Sequence, residues 1–306
     1  MKKFLAAAFL ISASMFILGC FSLKAQTVTK SNEFSSFTGI EASDNFDIVI
    51  KEGAPRAEWI VDELVEGLVQ VYQKGSNLVF AFDRKSMTKE QKKHYKGKNA
   101  PVMVLKGTIY INNLESISLK EKVKVDASGV SFNANSFNLT MEDEAVINSL
   151  NVTTNNATIE TSDKTKANLT ISTNKLLTKS DKKSVVKLTI DQCKDLTIKT
   201  DGYANVTVSG SVDVINVQNS GSSKVAITNG NCPLLGLASK NSAEIDATAY
   251  SLEKADLAMV GGKAFLNVTK VLTLDIKSSL VSFMSDPAIE IVKIEKSSVT
   301  HFNGKK

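Results

Sequence analysis

The sequence is poor in the residue types that mark most active sites. Its two histidines, His94 and His301, stand alone, with no Cys, His or carboxylate at metal-ligand spacing. Arginine occurs only as Arg56 and Arg84, too few for the Arg-Lys-Asp sets of a polysaccharide lyase. Aromatics are 7% of the chain. One tyrosine, Tyr203, falls in a turn and the phenylalanines fall at core phases, which argues against a groove that stacks sugar rings. No nucleophile motif, phosphate loop or zinc signature is present. The expectation is therefore a non-enzymatic chain with no cofactor and no metal.

Long apolar runs are equally scarce. Phe4 to Gly19 is the exception, and it follows the basic Met1-Lys2-Lys3. This is an export signal, too short for a transmembrane span. Two cleavage sites compete. Ile17-Leu18-Gly19-Cys20 resembles a bacterial lipobox, which would leave Cys20 lipidated, although Leu18 is large for its slot. Leu23-Lys24-Ala25 before Gln26 resembles an ordinary signal-peptidase site. On either reading the chain leaves the cytoplasm, for the cell surface, the outer membrane or the periplasm. A lipid on Cys20 would then be its one membrane contact. Residues 1–25 hold three lysines and no acid, so the remainder carries 34 basic against 32 acidic residues. That near balance gives no reason to expect nucleic acid as a partner.

What the sequence does have is a repeat. Leu196-Thr197-Ile198, Ile215-Asn216-Val217, Leu235-Gly236-Leu237 and Ala255-Asp256-Leu257 each flank a small or polar residue with apolar ones. Each is followed eight positions on by Val206, Val225, Ile245 or Phe265. The line recurs upstream with last residues Leu119, Leu139, Ile159 and, imperfectly, Leu177, and downstream with Ile276 and Ile294. These ten anchors are spaced about 19.4 residues apart on average, the mark of a solenoid. The alternation is that of strands with one buried face, and the period is too short for a strand plus a packed helix. The fold expected is all-β: a right-handed parallel β-helix of about ten coils with a ~20-residue period, its hand following that of parallel crossovers. Residues 26–113 are expected to hold an N-terminal β cap and the first coils, with a basic insertion at 84–98. Residues 114–306 hold the repeats, with coils to Phe302 and no C-terminal membrane barrel. An atypical end segment is needed to hide the open edge of a stack.

The N-terminal segment carries a resemblance. Phe37-Thr38-Gly39-Ile40, Asn45-Phe46-Asp47-Ile48-Val49-Ile50-Lys51-Glu52-Gly53, Val61-Asp62-Glu63 and Gly75-Ser76-Asn77-Leu78 resemble the bacterial "putative auto-transporter adhesin, head GIN domain" family. Asn219-Ser220-Gly221-Ser222-Ser223-Lys224-Val225 is similar to that family's Ser-Gly-Ser turn before a strand. The resemblance covers the chain from about residue 37 onward. It implies an exported β-helix of Bacteroidetes-type bacteria, and it supplies no catalytic residues.

Three features are candidate sites. The run from Arg84 to Lys98 holds seven basic residues against the single acid Glu90. It is either a solvated excursion between coils or a patch for an anionic polysaccharide, lipid headgroups or a partner. Its candidate binding residues are Arg84, Lys85, Lys92, Lys93 and Lys96. Four residues after the anchors come Asp143, Asp163, Asp181, Gly221, Asn241 and Gly261, with Asp201 one place earlier. A column of carboxylates could hold Ca²⁺ or act as an acid/base pair. Asp, Asn and Gly also share a tolerance for left-handed turns, which explains their interchange without any chemistry. Cys193 and Cys232 lie in one phase two coils apart, with Val212 between. Two rungs of ~4.8 Å exceed the reach of a disulfide, so both are expected as free, buried thiols.

Three functions fit: an adhesin-like binding or structural module that presents a polar solenoid surface to a protein or glycan of the envelope, an envelope scaffold or sensor, and, least supported, a polysaccharide lyase or hydrolase.

Overall fold

The computed structural model describes residues 26–302. The export signal, its cleavage sites and Cys20 lie outside the described residues. The chain forms a β-solenoid with a period near 20 residues, as the repeat predicts, and of about nine turns where the anchors suggest about ten.

The first strands are threaded out of sequence order. They are β1 (Thr27–Glu33), β2 (Gly39–Ala42), β3 (Asp47–Lys51), β4 (Arg56–Asp62), β5 (Val69–Lys74), β6 (Asn77–Phe82), β7 (Leu105–Tyr110), β8 (Ser116–Leu119) and β9 (Lys124–Asp126). Strand β2 lies in parallel between β6 and β8, and β3 between β7 and β9. The first coil is thus sandwiched: the chain leaves it, builds a layer beneath it from residues 56–110, then climbs past it to start the next coil. That layer ends in antiparallel pairings, β5 on β6 and β4 on β7, with β1 on β4. Phe46 and Phe80 meet edge to face across it at 5.5 Å, and Trp59 and Val65 are buried in it. The upstream end of the stack is therefore closed, as a solenoid requires.

Above it the coils stack in register through β10 (Ser131–Met141), β11 (Val146–Thr161), β12 (Lys166–Ser180), β13 (Val185–Thr200), β14 (Asn205–Ser209), β15 (Val214–Asn219), β16 (Lys224–Thr228), the 48-residue β17 (Gly230–Lys277), β18 (Leu280–Met284), β19 (Ala288–Glu295) and β20 (Ser298–His301). One interior column runs Ile40, Ile117, Leu139, Ile159, Thr178, Ile198, Val217, Leu237. A second runs Val186, Val206, Val225, Ile245.

Five expected positions are corrected. Thr178, not Leu177, pairs with Ile159 and Ile198. A threonine methyl fills the apolar slot there, which disguises the phase. Leu119 pairs with Met141 while Ile117 takes the column position beside Leu139. Ile276 and Ile294 pair with each other but precede their turns by two residues, as Leu119 does. Phe265 lies between the buried Ala264 and Leu266, because the Gly261-Gly262 turn, with both residues at positive φ, shifts the next strand by one.

With these phases restored, one turn geometry recurs. The fourth residue after each column position is left-handed: Asp44, Glu121, Asp143, Asp163, Lys182, Gly202, Gly221 and Asn241. Beneath this corner the interior is polar. Thr161 Oγ1 lies 2.9 Å from Ser180 Oγ, and Thr200 Oγ1 lies 2.9 Å from Ser223 Oγ. In these two pairs each hydroxyl offsets the other's desolvation, whereas Ser239 Oγ, farther along the same seam, is buried without a partner among the described residues.

Candidate functional site

The basic insertion connects β6 to β7. Asp83 caps a 3-10 turn over Arg84–Ser86, accepting from the Ser86 amide at 3.2 Å. Thr88 caps helix α1 (Lys89–His94) in a reciprocal box: Thr88 Oγ1 accepts from the Gln91 amide at 3.1 Å, and Gln91 Oε1 accepts from the Thr88 amide at 2.7 Å. Gln91 Nε2 donates to the Leu64 carbonyl at 2.6 Å, and Met87 is buried. Tyr95 packs against the core, and burial together with the Asp62 carboxylate pushes its hydroxyl pKa up. These contacts fix which face of α1 looks inward. Lys89, Lys92, Lys93 and Lys96, at helical spacings of three, four and seven, are exposed on the outer face, and Lys85 is exposed beside them with Lys92 Nζ 3.5 Å from its carbonyl.

Arg84 behaves differently from these lysines. Its Nε donates to Asp44 Oδ1 at 2.8 Å, and its guanidinium sits 5.7 Å from the Phe82 ring. Asp44 is nearly buried at a left-handed turn, so Arg84 compensates a charge within the fold. The structure thus brings Lys85, Lys92, Lys93 and Lys96 together on one exposed knob and turns Arg84 onto the stack.

Ion pairs recur between neighbouring coils for some of the solenoid's lysines. Along the stack, lysines meet carboxylates one coil away: Lys164 and Glu144 at 3.1 Å, Lys179 and Glu160 at 2.7 Å, Lys182 and Asp163 at 2.8 Å, Lys270 and Glu253 at 2.6 Å. These pairs hold the carboxyls of Glu144 and Asp163 below their usual range. Among the described residues no carboxylate lies within 4.0 Å of the Lys85, Lys89, Lys92, Lys93 or Lys96 ammonium groups, and the same is true of stack lysines such as Lys175, Lys187, Lys199 and Lys254.

The turn column resolves as backbone chemistry. Asp143, Asp163, Gly221, Asn241 and Gly261 are all left-handed. Lys182 and Gly202, each one residue after Asp181 and Asp201, take that conformation in their coils. Asp143 Oδ2 accepts from the Glu121 amide at 3.2 Å, and among the described residues no three His, Cys, Asp or Glu side chains are placed to hold a metal ion. Beside this column a groove of about 640 Å³ crosses several coils, lined by Glu142, Glu160, Lys179, Asp181, Lys199 and Lys240 among others. The Ser220 hydroxyl holds the carboxyl of Asp201, in the same groove, low. Burial and the Asp44 carboxylate push the Glu121 carboxyl up, and Glu121 lines a second groove together with Arg84.

Cys193 and Cys232 are free and buried, as expected. Burial pushes the Cys193 thiol up to about 11 and raises Cys232 as well. His94 packs edge-on to Tyr95, and His301 lies 3.7 Å from Asp286. What the sequence reading missed is the hydroxyl seam and the partner of Arg84. The seam shows in sequence only as Thr161, Ser180, Thr200, Asn219 and Ser239 recurring at the coil period, two residues past the column position.

No family model and no curated protein matches the chain. Solved structures do. A "putative adhesin" of Parabacteroides merdae is 15% identical with a TM-score of 0.50, over 92% of this chain and 98% of that one. A "putative lipid binding protein" of Parabacteroides distasonis is 14% identical with a TM-score of 0.47, over 92% and 98%. A "putative adhesin" of the same species is 16% identical with a TM-score of 0.45, over 91% and 98%. At these identities the likeness is one of fold: the chain shares its overall fold with the Parabacteroides merdae protein over 92% of its length.

Proposed function

We propose that the protein is an exported, non-enzymatic binding module whose solenoid holds a basic knob, Lys85, Lys92, Lys93 and Lys96, against an anionic glycan of the cell envelope. The observation that carries this is clustering: Lys85, Lys89, Lys92, Lys93 and Lys96 are all exposed on one short excursion from the stack, with the single acid Glu90 among them. An unpaired lysine cluster costs self-repulsion and gains attraction to a polyanion. The apolar run at Phe4–Gly19 supports export, and no helix among the described residues is long and apolar enough to cross a membrane.

The test is retention on an immobilised polyuronate such as alginate, with neutral dextran as control. Wild type is expected to bind alginate alone and to release as salt rises, since exposed charges are screened within a Debye length. Changing Lys85, Lys92, Lys93 and Lys96 to Ser should weaken binding by on the order of 100-fold or more, since each exposed lysine near an anionic surface contributes about 1 kcal/mol. Arg84→Ser should lower stability and leave alginate affinity within about two-fold, because its charge is spent on Asp44. Unchanged binding in the four-lysine variant overturns the assignment.

A further inference from the structure

The two ends of the stack are finished differently. Upstream, the first coil is covered by a layer of antiparallel strands. At the other end, β19 pairs on one edge with β17, and among the described residues no strand covers its other edge. Ile289, Ile291 and Ile294 continue the interior rows of Leu272, Leu274 and Ile276, yet they are 45%, 65% and 40% exposed, and Val292 at the bulge is 70% exposed. An open edge bearing aliphatics is a template for another strand.

We propose that this end is a homodimer interface in which β19 pairs antiparallel with β19 of a second copy about a two-fold axis between Ile291 and Val292. The pattern Ala-Ile-Glu-Ile-Val-Lys-Ile-Glu is complementary to itself when reversed. That pairing sets Glu290 opposite Lys293 twice, Ile289 opposite Ile294 twice, and Ile291 opposite Val292 twice. The faces agree as well. Ile289 and Ile294 both continue interior rows, while Glu290 and Lys293 align with Thr273 and Asp275 on the outer face. The register is also guarded. Sliding one strand by two residues sets Glu290 against Glu295, and sliding it the other way leaves Lys293 opposite Ala288. Like charges directly opposite are unfavourable, so one register stands out. An isologous contact of this kind closes on itself and does not propagate into a fibre.

Charge exchange tests the pairing. Sedimentation velocity of the exported protein should show a concentration-dependent dimer. Glu290→Lys alone sets lysine opposite Lys293 twice, and Lys293→Glu alone sets glutamate opposite Glu290 twice. Each should weaken the dimer about ten-fold or more, the scale of two cross-strand charge pairs reversed in sign. The double variant Glu290→Lys with Lys293→Glu restores the complement and should restore dimerisation. Both residues are exposed, so circular dichroism of each variant should match wild type. A wild type that is monomeric at every concentration overturns the proposal. So does a dimer that neither single variant weakens, or a double variant no better than the singles.

Discussion

Tyr250→Ala is expected to destabilise the solenoid by about 4–6 kcal/mol, read as a large fall in the urea midpoint. Tyr250 heads the fully buried side chains by size. Its ring occupies the space where a Cβ on Gly230 would lie, 2.7 Å from that position, so two adjacent rungs are shaped around it. Its hydroxyl sits 3.0 Å from the Gly210 carbonyl and 2.8 Å from the Asn231 carbonyl and donates between them. Truncation removes the ring and takes the hydroxyl from both carbonyls, of which that of Asn231 keeps the Val212 amide. Tyr250→Phe separates these contributions: it keeps the packing and removes only the hydroxyl donor, for about 1 kcal/mol. Neighbouring coils support one another almost one-dimensionally, so the damage should show first in coils 210–270. Hydrogen exchange there should rise before it does at β2 or β3. A loss below about 1 kcal/mol for Tyr250→Ala would mean the ring is not a packing centre.

The turn column predicts a pair of opposite effects. Gly221 has φ +69°, and a Cβ there would lie 2.7 Å from the Gly202 amide nitrogen and 2.8 Å from its carbonyl oxygen. Both are backbone atoms of the coil before and cannot swing away. Gly221→Ala should therefore cost about 2–3 kcal/mol, combining left-handed strain with a backbone clash. Asn241 occupies the same phase one coil on, with φ 62°. Asn241→Gly relieves that residue's strain and should change stability by no more than about 1 kcal/mol, in the stabilising direction. The two midpoints measured side by side decide the matter. Both variants within error of wild type would remove the claim that the column is fixed by backbone geometry.

Much of this architecture was legible because a solenoid writes its core periodically. Val206, Val225 and Ile245 fall on the expected rungs. The reading failed where side chains share a property across phases. Thr178 fills an aliphatic slot while its neighbour Leu177 faces outward, and apolar content alone favours the leucine. The Gly261-Gly262 turn shifts its coil by a residue without leaving an apolar signature. The threading of β2 and β3 between later strands is invisible to any local pattern, since it depends on pairings some 40 to 80 residues apart. The same is true of Arg84. A charge run is legible as a run, but the Asp44 that removes one member from it lies at the far end of a coil. The exposed aliphatics of β19 read as one more buried rung, because sequence alone does not say whether another rung lies above.

In-register stacking underlies every one of these assignments, and the thiols test it most directly. Cys193 and Cys232 should stand two rungs apart, about 9–10 Å, with Val212 on the rung between, each step near 4.8 Å. The Val212 amide donates to the Asn231 carbonyl, and the Asp213 amide to the Cys193 carbonyl, which fixes that intermediate position. The protein is refolded in a glutathione redox buffer, then denatured without reduction, alkylated and weighed peptide by peptide. Wild type should carry label on both cysteines. Val212→Cys should form one disulfide, to residue 193 or residue 232, and keep one labelled thiol. A Cys193–Cys232 link in wild type, or no link in Val212→Cys, would contradict the register on which the account rests.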